Sequence, residues 1–152
     1  MTGPAFRFRL ERVRAVRERK EKLAEQELAK AIQLRMSTES ELRSVEENLQ
    51  AAHVEQRSVT AESTTIDATE LIARQAFLER IEAQRRAHTN ELHQRESEVA
   101  DRGVELTAAA SEHEMLKRLK ERHRSEHERE AARREGNMLD EIAAVRFGRS
   151  PA

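Results

Sequence analysis

Almost nothing in this chain of 152 residues can make a tight turn: it holds 4 glycines and 2 prolines. Sandwiches, barrels and doubly wound α/β domains reverse direction roughly every 8–12 residues, so those folds are all but excluded. Charged residues make up 38% of the chain, which leaves too few positions to wrap a compact core. The composition that remains, rich in Ala, Glu, Leu and Arg, is that of long helices burying one narrow stripe. The length suits one domain rather than two.

Apolar spacing gives the helices their register. Phe6, Leu10 and Val13 begin a stripe that Val16 and Leu23 continue less regularly. From Ala24 the steps alternate four and three through Leu28, Ala31, Arg35, Thr38, Leu42, Val45, Leu49 and Ala52. That 3.5-residue repeat is a coiled-coil seam. The second half repeats it. Leu71, Leu78, Leu92, Val99 and Leu106 fall at multiples of seven, with Arg85 at the missing step. Ile81, His88, Arg95, Arg102, Ala109 and Leu116 supply the companion positions. Polar residues in such a seam cost stability and restrict register.

Between the halves, residues 58–65 are rich in hydroxyl and β-branched side chains, which are weak helix formers. Asp67 and Glu70 then have the spacing of a capping box, and Ile66 and Leu71 that of a hydrophobic staple. The turn is therefore expected at about 58–66, between a helix over about 6–57 and a second over about 67–135. Gly136-Asn137 should break the second arm, because glycine costs about 1 kcal/mol relative to alanine inside a helix. A short terminal helix over about 138–147 would follow. The expected fold is all-α: one coiled-coil domain over 1–152, a long antiparallel two-helix hairpin with a longer C-terminal arm. About 50 helical residues at 1.5 Å each give a rod of roughly 75–80 Å, with Phe6 opposite about residue 120.

Charge is sorted along the sequence. Residues 1–22 carry eight basic residues against three acids, residues 39–70 eight acids against two arginines, and residues 117–134 eight basic residues against four acids. In a hairpin the two basic segments meet at the open end. Such charge keeps an extended helix in solution, and it also suits the open end to an acidic partner surface.

Little catalytic chemistry is available. The chain has no glycine-rich phosphate loop, no nucleophile elbow and no cysteine, so thiolate metal sites and disulfides are excluded. His123 and His127 stand four apart, but Arg124 and Arg129 flank them and would repel a cation. Phe6 and Phe8 are the only aromatics in the basic segments, too few for a base-stacking platform. No stretch approaches the roughly 20 apolar residues of a membrane span, and the N-terminus lacks a signal-peptide core. These features predict a soluble, non-secreted protein that is not an enzyme and uses no cofactor, metal, small-molecule substrate or nucleic acid.

Three places resemble the FliJ family, coiled-coil proteins of bacterial flagellar type III export. The opening Phe6-Arg7-Phe8-Arg9-Leu10, followed by Val13, looks like the family's F-x-F-x-L-x-x-V start. Ala76-Phe77-Leu78-Glu79-Arg80-Ile81 opens the second arm in the same way. Leu139-Asp140-Glu141-Ile142-Ala143 resembles the L-D-E-x-A ending. The resemblance implies a non-enzymatic stalk, similar to the central stalk of rotary ATPases, that binds the hexameric flagellar export ATPase and links it to the membrane export gate. Export chaperones are further implied partners. The implied place is the cytoplasm, at the inner face of the cell membrane beneath the flagellum, with chemotaxis depending on the organelle built there.

On that resemblance, the gate contact falls on Phe77, Ile81, Gln84 and His88, one helical stripe. Phe77 and His88 are equally placed to serve the seam. Docking into the ATPase ring is expected to use Arg7, Arg9, Arg12, Arg14, Arg17, Leu139 and Ile142. The competing reading is a generic coiled-coil adaptor or spacer with unrelated partners.

Overall fold

The computed structural model describes residues 5–62 and 67–148. It is an all-α hairpin of two helices, α1 (Glu11–Glu62) and α2 (Ala68–Phe147), so the second arm is the longer. No strand occurs among the described residues. Two compact units divide the chain: Met1–Lys22 with Thr107–Ala152, here unit 1, and Leu23–Leu106, unit 2.

In unit 2 the heptads form the seam. Every α1 position from Ala24 to Ala52 in the expected register is buried or half-buried, with Ala31 and Thr38 fully buried. On α2, Leu78 and Ile81 are buried in the seam, nearer the turn, while Leu71 and Arg85, expected in the same seam, are exposed. Glu55 pairs with Arg74 at 3.6 Å, and Glu41 lies 3.7 Å from His88. Fourteen residues separate the two contacts on each helix, so two heptads of α1 run antiparallel to two of α2.

Three expected boundaries are displaced. α1 does not stop at 57 but runs to Glu62. The hydroxyls that make this segment a weak helix former are absorbed by the helix itself. Ser58 Oγ donates to the Glu55 carbonyl at 2.8 Å, and Thr60 Oγ1 to that of Gln56 at 2.9 Å. Val59, half-buried, extends the seam one heptad past Ala52. The remainder of the expected turn, 63–66, lies outside the described residues, and with it Ile66 of the staple.

α2 begins where the cap predicts. The Thr69 amide donates to Asp67 Oδ1 at 3.3 Å. Glu70 does not reach back to complete the box; it accepts from Arg74 at 2.7 Å instead. At the other end α2 passes through Gly136-Asn137 without a break. A cost of about 1 kcal/mol for one glycine is less than that of leaving the unmatched amides and carbonyls of two new helix ends.

The third displacement is at the start. Residues 5–10 are not helical, and α1 begins at Glu11. In a helix, side chains two positions apart point to nearly opposite faces. Outside one, Phe6 and Phe8 both turn onto α2, with ring centroids 5.8 Å from His127 and 5.9 Å from His123. Phe6 therefore lies beside residue 127, not 120. Most of the shift is register, since the Glu11–Lys120 pair would set residue 6 of a continued helix opposite about residue 125; non-helical chain, advancing up to about 3.3 Å per residue against about 1.5 Å in a helix, carries the arm the rest of the way.

Candidate partner-binding surfaces

Unit 1 is built on charge more than on apolar burial. The expected stripe of Leu10, Val13 and Val16 is exposed. The seam runs instead through half-buried Arg14, Arg17 and Glu21, and among the described residues of this unit only Phe8 and Ala109 are buried. Arg17 meets Glu112 at 2.6 Å, and Lys20 meets the same carboxylate at 3.3 Å. Lys120 donates to Glu11 at 2.9 Å. His113 lies between the helices, its Nδ1 2.5 Å from Glu21 and its Nε2 3.5 Å from Arg14. Hydrogen bonds from Arg14 and then Lys120 hold the Glu11 carboxyl down to about 2, well below the usual carboxylate range. Its bond to Glu11 likewise raises the Arg14 guanidinium above its ordinary value.

The arginines expected to dock divide into two groups. Arg7, Arg9 and Arg12 are exposed and make no ion pair among the described residues. With Phe6, Phe8, Glu11 and Lys120 they line an open cleft of about 850 Å³. Arg14 and Arg17 are engaged in the seam, half-buried among carboxylates. Leu139 and Ile142 stand exposed on the last turns of α2.

In unit 2 the stripe expected to meet the gate is also divided. Ile81 is 6% exposed and belongs to the seam, and His88 is half-buried beside Glu41. Phe77 and Gln84 face outward and, with Asn48 and Glu55 of α1, border a groove of about 440 Å³. The alternation follows from the heptad: Ile81 and His88 take a seam position, and Phe77 and Gln84 the position flanking it.

Two arrangements escaped the sequence reading. The His113 relay joins residues about a hundred apart, and no local pattern announces it. The aromatic contacts of His123 and His127 had a signal: two phenylalanines two apart and two histidines four apart. Among the described residues no cluster of three or more His, Asp or Glu side chains could hold a metal ion. No described helix is long and apolar enough to cross a membrane.

A sequence model of the family described as flagellar FliJ protein matches residues 6–152. The solved structure of a putative YscO homolog, CT670, from Chlamydia trachomatis superposes with a TM-score of 0.53 at 20% identity, covering 95% of this chain and 96% of that one. At that identity the likeness speaks for the fold alone. No curated protein matches the chain.

Proposed function

Starting from a chain that belongs to the FliJ family, a family of non-catalytic type III export components, we propose that this one is a stalk that docks on the export ATPase ring and couples it to the membrane export gate. The observation that carries the reading is the exposed trio Arg7, Arg9 and Arg12 in unit 1, which make no ion pair among the described residues and belong to one of that unit's two segments of net positive charge. Such a surface steers toward and recognises carboxylates. Leu139 and Ile142 supply apolar contact on the same side of the proposal. Arg14 and Arg17 contribute indirectly, by holding α1 and α2 together.

The gate contact is carried by Phe77 and Gln84, the members of their stripe that face outward. Ile81 and His88 fix the stripe's position from within the seam. Export chaperones are further partners in this proposal, and the protein works at the inner face of the membrane, recruited there by its partners.

The test is a binding titration with the export ATPase of the same organism, following its ATPase rate. The Arg7→Glu, Arg9→Glu, Arg12→Glu variant should lose at least about tenfold in affinity at low salt while keeping its helical circular dichroism. Unchanged affinity refutes docking through this surface. If no ATPase binding is found for the parent chain, and deleting its gene leaves motility normal, the adaptor reading takes over.

A further inference from the structure

The seam of unit 1 and its apolar pattern are out of step by one residue. Arg14, Arg17 and Glu21 occupy the seam, while Val13 and Val16 stand beside it, 44% and 60% exposed. The Lys20–Glu112 ion pair, at 3.3 Å across the hairpin, identifies the flanking positions that face one another. One heptad along each helix, toward the start of α1 and the end of α2, the equivalent positions are Val13 and Leu119. Val16 and Met115, the latter 62% exposed, lie next to them on the outer side of the same flank. One side of unit 1 thus carries an apolar strip with both helices as its walls. Its rim is mainly basic: Arg19 and Arg122 are exposed and make no ion pair among the described residues, against one exposed acid, Glu126, a heptad beyond Leu119.

We infer that this strip, formed by Val13 and Val16 of α1 with Met115 and Leu119 of α2, is a docking surface for an acidic amphipathic helix of a partner protein. A groove between two helices receives a third through side chains spaced three and four apart, and Val13, Val16 and Met115, Leu119 have that spacing. The charge of the rim selects the occupant. Arg19 and Arg122 suit carboxylates along the flanks of the incoming helix. A second copy seated by the same face would oppose these arginines to their own kind, which disfavours a symmetric pair. The inference stands apart from the ATPase reading, whose contacts are Arg7, Arg9, Arg12, Leu139 and Ile142.

The experiment uses the full chain and a labelled synthetic peptide of about three heptads, with Leu and Ile at its seam positions and Glu at the exposed ones. A second peptide has Lys in place of every Glu. Fluorescence anisotropy at low salt should detect the acidic peptide and not the basic one. The double variant Val16→Gln, Met115→Gln should bind the acidic peptide at least about tenfold more weakly. Glutamine is a good helix former and both sites are exposed, so the fold is kept. Val104→Gln, at an exposed position of unit 2, should bind as the parent does. No binding, equal binding of both peptides, or undiminished binding by the double variant overturns the proposal. So does concentration-dependent self-association that the double variant abolishes.

Discussion

The N-terminal arm offers a sharp test of how unit 1 closes. Phe6 and Phe8 bring their rings onto His127 and His123. Two residues of extended chain span up to about 6.6 Å and one four-residue step of helix about 6 Å, so the two spacings match almost side chain for side chain. Phe8 is only 9% exposed, whereas Phe6 is half-buried. Truncating Phe8 to alanine forfeits about 2 kcal/mol of ring burial and about 1 kcal/mol of edge contact, hence about 3 kcal/mol in all. Were the arm's opening governed by that term, its open population would rise by about a hundredfold, up to the point where it is mostly open. Arg9 makes this measurable, because trypsin cleaves the Arg9–Leu10 bond only when the arm is free. Phe8→Ala should raise the cleavage rate by about tenfold to a hundredfold, after normalisation to a peptide of residues 5–12 carrying the same change. Phe6→Ala should do less. Far-ultraviolet circular dichroism should not move, since residues 5–10 contribute no helix. A normalised rate within about twofold of the parent would refute the aromatic clasp as the arm's anchor.

Acid and glycine provide two further checks. Glu11 titrates near 2 in the folded chain against 4.5 unperturbed, so its contribution to stability is complete above about pH 4.5 and is lost as the pH falls toward 2. The melting temperature should fall across that window, Glu11→Gln should flatten part of the fall, and added salt should shrink the difference because the carboxylate is partly open to solvent; an identical acid profile for the variant would refute the assignment. At Gly136 an added Cβ meets nothing within 4 Å, so Gly136→Ala should stabilise the end of α2 by about 0.5–1 kcal/mol, read as slower amide exchange over residues 130–145. Unchanged exchange there would mean that the glycine does not limit the helix.

The fold was legible because the heptads from Ala24 to Ala52 and from Leu78 to Leu116 needed only spacing to be read. Asp67 was equally plain, since a cap is a local chemical device. Unit 1 misled for the same reason. Periodicity counts apolar residues, and there the apolar residues Val13 and Val16 lie beside the seam while Arg14 and Glu21 lie in it. A polar seam is recognised only once its partners from the other helix are known. The arm shows a second limit. Phe6, Leu10 and Val13 fit a helix by spacing, yet the burial of both rings on α2 outweighed the local pattern. Of the docking residues, the sequence supplied identities and charge. It could not divide Arg7, Arg9 and Arg12, which are exposed, from Arg14 and Arg17, which are engaged across the hairpin.

That charged seam also resists shear. Helices joined by similar apolar residues can slip by one heptad at little cost, because each knob finds an equivalent hole. Here a slip of seven toward the start of α1 would take Glu112 from Arg17 and Lys20 and set it against Leu10 and Val13. It would also carry Lys120 past the beginning of the helix. Each of these charges would be stranded beside apolar groups or in water, losing bonds of 2.6, 3.3 and 2.9 Å together. A pull applied lengthwise to one helix of unit 1 is therefore passed to the other, as through a keyed shaft rather than a greased one.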